Sequence, residues 1–296
     1  MLGKVLKYEW KSTYKVGCLM LILLVCTTFL GWLSFQSPVW LELSSEVYIP
    51  QDNLATSILN LASVFTMLFY FIMLVVISVG IIVYLVVRFY KTMYTDEGYL
   101  THTLPVTEGK LLFAKTLISG IWSLIIELGV VLSVFAFLFF MVSAMLPQGY
   151  SLSQVWGELQ TVYQEEFADA LEVMEVMLGM KFDSYFVISI ITMILSSFTG
   201  MMVLFGVISL GQLFTKHRVL MAIVFYIGVQ MANGIVGSIV RGIAAAVLDG
   251  SRHNSFTVVG SYYNVSLISN LVINVVFAAL LYLASWLVNT RRLNME

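Results

Sequence analysis

The sequence predicts an all-α integral membrane protein with six transmembrane helices. Three observations carry that reading. Of the 296 residues, 60% are hydrophobic and 11% are charged, whereas soluble domains carry about 25% charged residues. Several apolar runs exceed the ~20 residues that cross a bilayer. The basic residues cluster in alternate intervals between those runs, as cytoplasmic flanks do.

In chain order, residues 1–15 come first. Lys4, Lys7, Lys11 and Lys15 fall on one helical face, and Leu2, Val5, Leu6 and Trp10 occupy much of the other. This spacing predicts an N-terminal interfacial amphipathic helix with its lysines towards anionic head groups. An ordinary basic flank to the first span is the other reading. The six spans are expected at about 16–35, 62–87, 118–146, 185–214, 219–248 and 265–288. The first run is too long for a cleavable signal and lacks a small-residue cleavage site, so it is read as a retained span. The four prolines, Pro38, Pro50, Pro105 and Pro147, all lie outside these spans, so no proline kink is expected. Thr107 is placed to cap the helix leading into the third span, with Glu108 in its first turn.

Twelve of the 15 basic residues lie on one side. They are Lys4, Lys7, Lys11, Lys15, Arg88, Lys91, Lys110, Lys115, Lys216, Arg218, Arg291 and Arg292. Both termini are therefore expected in the cytoplasm. On the opposite side, residues 147–184 alternate apolar positions with Glu158, Glu165, Glu166, Asp169, Glu172 and Glu175. That pattern predicts an extracytoplasmic amphipathic helical segment after the third span, packed over the span ends. No repeat of 20–50 residues stands out, and residues 1–296 read as a single transmembrane domain.

The interval 88–117 organises the chain. Cations mark its two ends. Its middle, Tyr94-Thr95-Asp96-Glu97-Gly98-Tyr99-Leu100, adds two adjacent acids, a glycine and aromatics. A solvated connector has no use for so many apolar side chains. The interval reads as a surface element offering an apolar and acidic face to a partner, or as a loop packed on its own helix ends.

Several chemistries lack their residues. No G-x-x-x-x-G-K-[ST] occurs, so the chain is not expected to hydrolyse ATP or to be an enzyme. His102, His217 and His253 lie in separate intervals, and Cys18 and Cys26 sit within the first span, where they should pack as small hydrophobes. No metal or cofactor site is expected. A net charge of −2 gives no reason to expect a nucleic-acid partner.

Two sets of polar residues lie inside the spans. Glu127, in the third, should face other helices or a cavity, as a path-lining or a structural acid. In the fifth, Gln230, Asn233, Gly234, Gly237, Ser238 and Arg241 share one face, which suits a helix seam or the wall of a path. Small polar residues recur in the sixth at Ser266, Asn270 and Asn274.

Taken together, the six spans, the basic N-terminal helix and the elaborate loop between spans two and three resemble the ABC-2 type permeases, the membrane subunits of a class of ABC exporters. The likeness is sharpest at residues 89–106, FYKTMYTDEGYLTHTLPV, and at Met1-Leu2-Gly3-Lys4-Val5-Leu6-Lys7-Tyr8-Glu9, which look like permeases of clostridial Firmicutes. The resemblance implies a coupling helix around Tyr94, Asp96, Glu97, Gly98, Tyr99 and Leu100. That helix would dock on a separate P-loop ATPase subunit holding ATP and Mg. It also implies a second permease copy, with contact mostly at spans one and five, and a bacterial plasma membrane. A non-transporting sensor or immunity protein of the same topology is the alternative. A proton-coupled carrier using Glu127 is weaker, because the spans lack broken-helix Pro/Gly pairs.

Overall fold

The computed structural model describes residues 2–35, 54–95, 97–98, 105–145, 153–154, 156–157, 160, 167–178, 180–214, 216–249 and 255–291. Seven longer helices account for most of these residues, and no strand occurs among them. They are α1 (Leu2–Ser34), α2 (Leu54–Tyr94), α3 (Glu108–Met145), α4 (Phe167–Leu178), α5 (Phe182–Gly211), α6 (Arg218–Asp249) and α7 (Ser255–Arg291). All but α4 are long and apolar enough to cross a membrane. At 1.5 Å per residue, the 33 residues of α1 extend about 50 Å, well beyond a ~30 Å hydrocarbon core. Each of the six therefore has room for polar turns beyond its apolar stretch. None of the seven contains proline.

The six long helices turn large apolar side chains outward. Ile22, Phe65, Leu132, Val187, Ile239 and Leu280 are all exposed, one on each. Such surface costs free energy in water but none against lipid tails. Cys18 and Cys26 share this outward side of α1 as free, exposed thiols.

Two compact units make up the chain. One comprises Thr13–Val83 and Ile125–Glu166. Its core is aromatic: the fully buried Tyr70 stacks on Phe137 with ring centroids 4.5 Å apart, and Phe35 and Phe71 meet the same ring at an angle. Ser133 of α3 joins the three helices, 2.9 Å from the Tyr70 hydroxyl and 2.7 Å from Thr28 Oγ1. Interhelical hydrogen bonds of this kind contribute about 0.6 kcal/mol each in lipid. Ring packing therefore holds this unit, and the bonds fix its register.

The other unit comprises Met1–Ser12, Tyr84–Leu124 and Phe167–Glu296. Here α5, α6 and α7 pack on one another, most extensively α7 on α5, and α4 lies against α7 and α5. Phe89 stacks on Phe205 at 3.9 Å, and Trp10 on Trp122 at 5.0 Å. At the start of α5, Glu175 of α4 accepts a bond from the Phe182 amide at 3.0 Å. That is one of the orphan donors at a helix N-terminus, where an acid also meets the positive end of the dipole. The turn between α5 and α6 includes His217 at φ 58°, the left-handed region.

Three boundaries differ from the sequence reading. Residues 2–15 do not form a helix of their own; they are the first turns of an unbroken α1. The buried positions of that segment are Val5, Glu9 and Thr13, an i, i+4 stripe containing an acid. The connection after α2 is also shorter than 88–117, because α2 runs on to Tyr94 and α3 starts at Glu108. There the Thr107 carbonyl accepts from the Lys110 and Leu111 amides, as at a helix start. Within 147–184, α4 is the longest helix described, and Met174 and Met177 on it are exposed.

Candidate functional site

Among the described residues, a buried ion cluster sits where α1, α2 and α3 leave their apolar stretches. Glu9 lies on the buried stripe of α1. Its Oε2 accepts from Arg88 Nη2 at 2.9 Å, and its Oε1 from Lys115 Nζ at 2.7 Å. The side chains are 7% exposed for Glu9, 4% for Lys115 and 15% for Arg88. One carboxylate therefore bridges a cation from each of two other helices, with one oxygen for each. Heptad-like spacing places the partners. Arg88 and Thr92 stand one turn apart on α2, and Leu111 and Lys115 one turn apart on α3. Thr92 Oγ1 accepts a second Lys115 hydrogen at 2.7 Å, and Arg88 also donates to Ser12 Oγ. Ions this buried are tolerated only when each is paired and hydrogen-bonded.

A second network anchors the last residue of α2. The Tyr94 hydroxyl donates to Asn289 Oδ1 at 2.8 Å and lies 2.7 Å from Ser209 Oγ. Ser209 lies 2.6 Å from Ser285 Oγ and also reaches the Phe205 carbonyl at 2.8 Å. Hydroxyls carry one hydrogen each. The consistent chain is Ser285 to Ser209, Ser209 to Tyr94, and Tyr94 to Asn289, with the Ser209 hydrogen alternating between Tyr94 and the Phe205 carbonyl. This ties α2 to α5 and α7 at one point. Tyr94→Phe leaves the buried Asn289 oxygen without its donor, at a cost of about 1–3 kcal/mol. A lowered thermal midpoint of the purified protein is the expected result; an unchanged one means the hydroxyl is dispensable.

Around the triad, Lys4, Tyr8, Tyr84, Lys91, Glu97 and Pro105 help to line a cleft of about 970 Å³. Glu97 is exposed on its wall and attracts Lys115. Gly98 is buried, and a Cβ there would stand 2.6 Å from the Met93 carbonyl oxygen, so this close return of the chain onto α2 requires glycine. Of the six residues read as a docking element, Tyr94 turns inward as described, Glu97 and Gly98 stand at the end of α2, and Asp96, Tyr99 and Leu100 lie outside the described residues.

No family model, curated protein or solved structure matches the chain. Among the described residues, no group of three His, Cys, Asp or Glu side chains gathers where a metal ion could bind.

The other sequence candidates fall elsewhere. Glu127 is half-buried on α3 and belongs to the unit that contains Tyr70. The α6 stripe is largely an intrachain seam with α7. Asn233 Nδ2 donates to Asn274 Oδ1 at 2.7 Å, and Arg241 Nη1 to Asn270 Oδ1 at 2.8 Å. Gly237 backs onto the Arg241 guanidinium, and a Cβ there would meet it at 3.2 Å. Gln230 is exposed, and a Cβ at Gly234 meets nothing within 4 Å. Among the described residues, Gly234 is thus not a close-approach point within the chain.

Sequence reasoning passed over Glu9, Ser209, Ser285 and Asn289. Glu9 did carry a signal, since it is the sole acid before Glu42. The serines and Asn289 carried none, because a lone small polar residue in an apolar helix looks the same at a seam as at a lipid face.

Proposed function

We propose that the chain is the membrane subunit of an ATP-driven exporter of the ABC-2 type, with both termini in the cytoplasm of a bacterial cell. The connection between α2 and α3 docks on a separate P-loop ATPase, which holds the ATP and Mg. A second copy of the permease completes the substrate path. The single observation that carries this reading is the anchoring of both ends of that connection. The end of α2 is tied to α1 through Arg88 and Glu9 and to α5 and α7 through Tyr94, and the start of α3 is tied to Glu9 through Lys115. A bare connector between two spans needs no buried ions. A loop that receives force from a partner needs a stiff base, and this base is bonded to three other helices, α1, α5 and α7.

Asp96→Lys with Glu97→Lys reverses the charge at the loop while leaving the apolar helices untouched. The double variant should still insert in the membrane but should lose co-purification with a partner P-loop ATPase, together with transport. Normal ATPase binding and transport in the double variant would sink the docking assignment. A stable complex that never turns over ATP points to the sensor or immunity reading, and ATP-independent transport that follows the proton gradient points to a carrier.

A further inference from the structure

Among the described residues, the lining of the cleft over the ion triad carries more positive than negative charge. Glu9 carries one negative charge against the two cations it bridges. Lys4 and Lys91 add two more cations to the lining, and Glu97 adds one acid. Four cations against two carboxylates leave the cleft formally +2. Lys115 sharpens the point. Its ammonium has three hydrogens, of which Glu9 and Thr92 take two. The remaining N–H belongs to a side chain only 4% exposed that lines the cleft. A buried cation with spare charge and a spare donor favours an anion beside it.

The geometry points to a phosphate-group site that takes the head group of an anionic membrane lipid. Lys4, Lys91 and the third Lys115 hydrogen supply the cationic donors, and Tyr8 and Tyr84 line the same space. A tetrahedral oxyanion with several acceptor oxygens suits donors arriving from three helices. Depth decides for lipid over a soluble phosphate. Charged residues of α1 end at Lys15, those of α2 begin at Arg88, and the last cation of α3 is Lys115. The cleft therefore lies where apolar stretches give way to polar turns, the level at which head groups and tyrosines sit. Val5, Val87 and Leu111 complete an apolar wall for the glycerol and first methylenes. This inference stands whether or not an ATPase partner exists.

The test uses the full chain purified in a neutral detergent, with bound lipid followed by native mass spectrometry and by thermal midpoint. Dioctanoyl phosphatidylglycerol should bind saturably and raise the midpoint. Dioctanoyl phosphatidylcholine, which has the same tails and no net charge, should bind on the order of tenfold more weakly. Lys4→Gln with Lys91→Gln changes two exposed side chains outside the triad, so the fold should persist while phosphatidylglycerol affinity falls by about tenfold or more. Equal binding of the two lipids, or undiminished binding by the double variant, overturns the site. Inorganic phosphate that displaces phosphatidylglycerol at comparable concentration overturns the lipid assignment and makes the ligand a soluble phosphate.

Discussion

Glu9→Ala should destabilise the protein by about 3–5 kcal/mol, the cost of breaking a buried ion pair from one side. The reason lies in what is left behind. Arg88 and Lys115 are 15% and 4% exposed and would keep their charges with no carboxylate between them. Each would lose a charge-assisted bond, and they would then repel one another. Glu9→Gln should cost less, because the amide oxygen still accepts from one cation, but it still leaves two uncompensated charges. The comparison that isolates the triad is Glu9→Ala in a Lys115→Met background. With one cation already removed, the further loss should be smaller than in the wild type, since residues in one network are not additive. Thermal midpoints of the four proteins in one detergent decide it. Equal losses in both backgrounds would mean that Glu9 and Lys115 do not act as a unit. A wild-type midpoint for Glu9→Ala would mean that the ion triad does not hold α1 in place.

The apolar helices were legible in the sequence because length and hydropathy decide them locally. An uncharged run of more than 20 residues forms a helix in lipid since its backbone has no other partner. A single charge does not end such a helix: α3 runs through Glu127 and α6 through Arg241. What local pattern misses is where a helix stops once it leaves the apolar stretch. Residues 1–15 read as an interfacial helix and 88–94 as part of the connection, yet residues 2–15 and 88–94 lie in α1 and α2, where Glu9, Arg88, Thr92 and Tyr94 find partners on other helices. Those partners lie between 23 and 195 positions away in sequence, and no periodicity encodes them. The α6 stripe shows the converse. Its polar face was visible from spacing, and so were Asn270 and Asn274 on the last span. That the two sets bond to each other within one chain, instead of across two copies, is a fact of tertiary placement.

Gly206→Leu should prevent α5 and α7 from closing, whereas the same change at Gly234 should leave the single chain folded. A Cβ at Gly206 would stand 2.7 Å from Leu281 Cβ and 2.9 Å from the Leu281 carbonyl oxygen. The second atom is backbone, so no rotamer change relieves the contact and the helices must part. Overpacking of this kind costs about 1–3 kcal/mol, occasionally more. Parting the helices also strains the bonds one turn away, where Ser209 meets Ser285 at 2.6 Å and Tyr94 reaches both helices. The seam that joins the end of α2 to α5 and α7 therefore fails as a whole. At Gly234 a Cβ meets nothing within 4 Å, so a leucine side chain there projects from an exposed face of α6. Limited proteolysis and thermal midpoint should separate the two variants clearly, with Gly206→Leu protease-sensitive and Gly234→Leu close to wild type. Similar behaviour of the two variants would contradict the close approach at Gly206. Size-exclusion profiles add a second readout from the same samples. If the open face of α6 meets a second copy, Gly234→Leu keeps its fold but elutes as a smaller particle than wild type; an unaltered profile means that this face is covered by lipid alone.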